Sequence, residues 1–314
     1  MSKVALKSSS NKSGRDKVDE LIHRPPDFIF EGLQQLRYLI LTEGLSTDSR
    51  GDCRYRNYVW TILLQVDLLD TNYAQLVAHG PSPVDSKIAN DTFRTLATDT
   101  AFKKVVSENS LSRVLNAYAN SQGKDGHGYV QGMNVLAAPF LYVSRSESQA
   151  FALFTKFMTQ YCPTYITPTL TGVHNALELV DLVLSIADKA LYSHLKANML
   201  SANLYAFAPT MTFSAGTKPL SEALKLWDII MAYGAHLNIL FVVAQVVRMR
   251  ENLLQQSKPM SLLRSFPPLQ AKEIKTTALG LLRKIPQPLH KLLVIHGSDI
   301  NCREKIEAYR QSLS

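Results

Sequence analysis

Gln131 stands between Gly128 and Gly132 in the run Gly128-Tyr129-Val130-Gln131-Gly132-Met133-Asn134, where a glycine-rich turn feeds a long apolar segment. Gly123, Gly126 and Gly128 free the backbone ahead of it, so the turn can hold the Gln131 amide outward instead of folding it in. Turns of this kind bind phosphates in several protein classes, and two such readings fail here. A dinucleotide fingerprint requires a third glycine at the position of Gln131, and a phosphate loop requires Ser or Thr after Lys124, where the chain has Asp125. What remains from spacing alone is structural: Tyr129 and Met133 in the core, Gly132 at a close contact and Gln131 at a helix start. The second polar constellation is Asp91 and Arg94, three apart and therefore neighbours on a helical face. Spacing gives them no more than a solvated ion pair, which contributes little.

Three stretches taken together carry more. Arg56-Asn57-Tyr58-Val59-Trp60, Ile88-Ala89-Asn90-Asp91-Thr92-Phe93-Arg94 and Tyr129-Val130-Gln131 match, in order, the Arg-x-x-x-Trp, Ile-x-x-Asp-x-x-Arg and Tyr-x-Gln motifs of the TBC domain. The chain resembles that family over roughly residues 33–256, with Pro219-Leu220 and Leu226-Trp227-Asp228 adding to the match in the second half. The family activates Rab-type and related small GTPases. The resemblance implies an all-α fold with two helical lobes, Arg94 as an arginine finger and Gln131 as a glutamine finger. It further implies Asp91 as the partner that orients Arg94, with Ile88, Tyr129, Gly132 and Asn134 around the fingers and Arg56 and Trp60 in a mainly structural motif. An arginine suits that role because a guanidinium is always charged and forks onto two phosphate oxygens, which an ammonium does not. Nucleotide and magnesium would belong to the GTPase, so no cofactor of the chain's own is expected.

Within the family, Leu115-Asn116-Ala117-Tyr118 and the stretch 232–240 look most like the fungal mitotic-exit and septation checkpoint branch. That likeness implies a mitotic-exit or septation GTPase as target, an obligate non-catalytic partner subunit and recruitment to the spindle pole body. A catalytically silent scaffold that binds a GTPase or partner, and a Rab activator in vesicle traffic, stay open. The chain also departs from the common pattern: Val130 replaces cysteine, Leu96-Ala97 replaces Phe-Pro, and Gln122 to Gly128 replaces a proline-containing turn.

The elements that must position these residues read as helices. Apolar residues recur at helical spacing after Pro25-Pro26, beginning near Asp27, and again over 55–69, around Ile88, over 102–118, 135–143, 150–160, 170–195, 220–233 and 237–254. Gly234 is a C-terminal cap in this reading, and Trp227 is core. No alternation of period two is long enough for a sheet. Residues 1–26 form a basic segment expected to be disordered, 27–256 the domain with lobes meeting near 145, and 257–314 a basic helical extension.

Composition narrows the remaining classes. The net charge of +8 is concentrated at the ends, with six basic and three acidic residues up to Arg24 and twelve and five from Gln245 onward. No aromatic interleaving favours nucleic acid. The three cysteines have no metal-ligand spacing and fit a reduced intracellular protein. The longest apolar run, 237–247, contains Asn238 and Gln245 and is shorter than the ~20 residues of a membrane span. No zinc helix or nucleophile turn occurs, which sets other enzyme classes aside, and a cytoplasmic protein is expected.

Overall fold

A computed structural model describes residues 17–18, 20–21, 29–69, 71–123 and 128–313. Every regular element among them is helical. Most of residues 1–26, and Lys124 to His127 of the turn before Gln131, lie outside the described residues. Within the N-terminal segment, Val18 is buried in the core and Lys17 pairs with Glu43.

The first set of helices comprises Ile29–Thr42, Arg56–Leu64, Tyr73–Ala78, Asp85–Thr92, Thr100–Val105, Glu108–Ser121, Met133–Val143 and Glu147–Lys156. The last of these packs on 108–121, 133–143, 56–64 and 73–78. Its final turn widens into a π-type turn at Phe157–Tyr161, where the chain crosses over. The second set is organised around Thr171–Ala187 and Leu237–Arg248, which pack on each other. The extension is helical at Ala271–Leu282, Gln287–Ile295 and Cys302–Gln311, and it covers those two central helices.

Several expected helices are interrupted, each at an identifiable residue. The pattern over 55–69 stops at Leu64 because Gln65 is left-handed (φ 52°). The run 170–195 divides at Asp188, whose side chain accepts from the Leu191 amide and so caps a new helix, Lys189–Ala197. The run 237–254 divides at Met249. Gly234 does cap Leu220–Tyr233, its amide donating to the Ile230 carbonyl at φ 119°.

An aromatic stack joins the two sets. Trp60 and Trp227 lie with ring centroids 5.9 Å apart, Phe140 meets both edge-on, and Phe157 stacks on Trp227. Both tryptophans are fully buried, and each contributes about 4–6 kcal/mol of transfer free energy. Their polar edges are satisfied, Trp227 by the Phe213 carbonyl and Trp60 by Asp228.

Candidate functional site

The helix Asp85–Thr92 is fixed at its start by Asn116. The Asn116 amide oxygen accepts from the backbone and hydroxyl of Ser82, and its NH2 donates to Asp85. Ile88 is buried on the inner face of this helix. The helix ends at Thr92, Phe93 is its C-cap, and Leu96 is left-handed (φ 44°), so Arg94 lies in the turn just beyond the helix rather than within it. That early ending accompanies the Leu96-Ala97 departure.

Asp91 is buried and its two oxygens face two different segments. Oδ1 accepts from the Arg94 guanidinium, through Nε at 3.1 Å and through Nη2. Oδ2 accepts from the Tyr129 hydroxyl at 2.6 Å. Burial, and then the Asp91 carboxylate, push the Tyr129 phenol well above its ordinary pKa, so it remains a donor. Asn134 completes the link: its NH2 donates to the Thr95 hydroxyl (2.8 Å), which donates in turn to the Asp91 carbonyl (2.8 Å). The segments carrying Arg94 and Gln131 are thereby one hydrogen-bonded unit.

The two outer residues stay free of that unit's interior. The Arg94 side chain is 54% exposed, and it lines a groove of about 310 Å³ together with Asp99, Gly216 and Lys218. Gln131 is exposed, with no side-chain hydrogen-bond partner among the described residues. Behind it Gly132 caps the helix Met133–Val143 with φ 103°, and a Cβ there would stand 3.1 Å from the Met211 side chain. The positive φ requires glycine, and a Cβ would in addition press on the Met211 side chain. Met211 ends the short helix Phe207–Met211, whose 209 and 210 carbonyls are held by the Asn238 amide.

Arg56 and Trp60 are elsewhere in role. Both hold Asp228: Arg56 through Nε at 2.9 Å and Nη2 at 3.1 Å, and Trp60 through its indole N–H at 2.8 Å. Burial works against the charge of Arg56, and the Asp228 carboxylate outweighs it, raising the guanidinium pKa. This cluster ties the first set of helices to Leu220–Tyr233 and touches no solvent. Its third member, Asp228, was visible in the sequence as the neighbour of Trp227 but had no assigned partner. Thr95 and Met211 were likewise missed; adjacency to Arg94 marked the first, and nothing local marked the second.

The described residues thus form a wholly helical fold that presents an exposed arginine and an exposed glutamine from one hydrogen-bonded unit. The chain belongs to the Rab-GTPase-TBC domain family, whose model matches residues 53–255. It is 43% identical over 284 residues to cell division control protein 16 of Schizosaccharomyces pombe, covering 90% of this chain and 94% of that one. It is 42% identical over 297 residues to the mitotic check point protein BUB2 of Saccharomyces cerevisiae, covering 90% and 97%. The Ypt/Rab-GAP domain of Gyp1p superposes with a TM-score of 0.71 at 16% identity over 86% of this chain and 97% of that one, which establishes the shared fold.

Proposed function

We propose that this protein accelerates GTP hydrolysis by a small Ras-like GTPase controlling mitotic exit or septation, with Arg94 and Gln131 supplied in trans. The observation that carries the reading is the shared Asp91 carboxylate, which sets Arg94 and the Gln131 loop in one frame while leaving both side chains exposed. Hydrolysis on a slow GTPase is limited by charge building on the transferring phosphoryl group and by disorder in the attacking water. The Arg94 guanidinium would neutralise the first and the Gln131 carboxamide would orient the second. Asp91 holds Arg94 until the phosphate arrives, and its second bond to Tyr129 keeps the carboxylate from following the guanidinium. The GTPase would bring nucleotide and magnesium.

The cell-cycle assignment rests on the two relatives above, whose names place them in cell division and mitotic checkpoint control and whose similarity runs through nearly the whole chain. A non-catalytic partner subunit and recruitment to the spindle pole body belong to the same reading and are carried by the resemblance to that branch. No helix among the described residues is long and apolar enough to cross a membrane. The test is hydrolysis by a purified panel of Rab and mitotic-exit-type GTPases, with and without a co-purified subunit. Acceleration confined to the mitotic-exit type supports the reading. Acceleration of a Rab alone replaces the target, and tight binding without acceleration makes the chain a scaffold.

A further inference from the structure

Large apolar side chains stand wholly or partly exposed beside Arg94 and along the chain leading to Met211, which packs behind Gly132. Phe93, directly before Arg94, is 58% exposed. On the other side, Phe207 opens the short helix that ends in Met211, so it lies ~6 Å along the axis from the residue packed on Gly132. Phe207 is 37% exposed and Leu204, three residues earlier, is 58% exposed. Phe207 also makes a tilted ring contact with His174, centroids 6.2 Å apart.

Ile88, Tyr205 and Met211 nearby are buried in the core, whereas Phe93, Leu204 and Phe207 offer aromatic and aliphatic surface next to polar side chains, the composition of the centre of a protein interface. We propose that Phe93 on the arginine side, and Leu204 with Phe207 on the glutamine side, are the apolar anchors that seat the GTPase over the two fingers and select among GTPases. The inference rests on the GTPase-activating reading, because the occupant is fixed by it. A globular protein that brings one phosphate to both Arg94 and Gln131 must cover the residue bonded to Arg94 and the helix behind Gly132. Neither anchor touches the reacting atoms. Their effect is on encounter and residence, so they differ from the fingers in kinetic signature.

The experiment compares Phe93→Ala and the double variant Leu204→Ala/Phe207→Ala with wild type, and with Ile300→Ala, a distant residue 81% exposed, as the control. The probes are the GTPases of a purified panel, loaded with GTP for turnover and with GDP and aluminium fluoride for binding. Buried aromatic anchors in interfaces are worth roughly a 10- to 30-fold change in affinity. The expected result is a rise of that size in KM and Kd for each anchor variant, kcat at saturation within about twofold of wild type, and no change for Ile300→Ala. Unchanged KM and Kd overturn the anchors while leaving the activating function intact. An equal loss of kcat at unchanged Kd also overturns them, since it makes Phe93 a support for Arg94. If wild type binds a GTPase without accelerating it, the activating reading fails and Kd alone decides the anchors. If no GTPase is bound at all, both fall together.

Discussion

The Tyr129 hydroxyl donates to Asp91 Oδ2 across 2.6 Å, and this bond joins the loop of Gln131 to the carboxylate that holds Arg94. Two residues 37 positions apart in sequence are positioned by one buried side chain. Replacing Tyr129 by Phe removes the donor and leaves a buried carboxylate oxygen short of a partner, at a cost of about 1–3 kcal/mol. The expected outcome is a protein that still folds, melts several degrees lower and loses roughly tenfold or more in kcat. Thermal melting and single-turnover hydrolysis measure the two effects separately.

The Arg56–Asp228 pair makes the opposite kind of prediction. Both partners are buried, and Trp60 binds the same carboxylate. Asp228→Asn keeps the shape but leaves the guanidinium charge without compensation, which costs about 3–5 kcal/mol. Denaturant unfolding should show that loss. Activity per folded molecule should be close to wild type, because this cluster is remote in role from Arg94 and Gln131.

Two histidines set an acid limit on stability. His296 is fully buried; its Nδ1 lies 2.6 Å from the Leu293 carbonyl, which only accepts, so Nδ1 carries the proton and Nε2 accepts from the Tyr165 hydroxyl at 2.9 Å. Burial pulls the His296 pKa down from 6.5 to about 4, and burial with the neighbouring His296 and His290 does the same to His236. The folded state therefore takes up these protons less readily than the unfolded chain. Their stabilising contribution is complete above pH 6.5 and is lost as pH falls toward about 4, on the order of 3 kcal/mol for His296. Urea midpoints at pH 7.5, 6 and 5 should fall in that order, and His296→Gln should flatten the dependence.

The all-helical class was legible because the apolar periodicity is strong, and the family was legible because three motifs occur in order. The breaks were less so: Asp188 and Met249 divide long apolar runs through a side-chain cap and a local backbone turn, which periodicity does not register. The same limit hid the link between Thr95 and Asn134, 39 positions apart, and the packing of Met211 on Gly132. Arg56 and Trp60 could be placed on one helical face from their spacing, yet their common partner is 172 and 168 positions away. What the sequence lacks in each case is the tertiary neighbour.

The central claim is that Arg94 and Gln131 act on GTP bound to another protein. Single-turnover hydrolysis by the accelerated GTPase with wild type, Arg94→Ala, Arg94→Lys and Gln131→Ala tests it most directly, since both side chains are exposed and their loss should not unfold the chain. The account predicts a fall of about 10³-fold or more for Arg94→Ala, little rescue by lysine, and a fall of at least ~10²-fold for Gln131→Ala, all with GTPase binding retained. Wild-type rates in both alanine variants would contradict it.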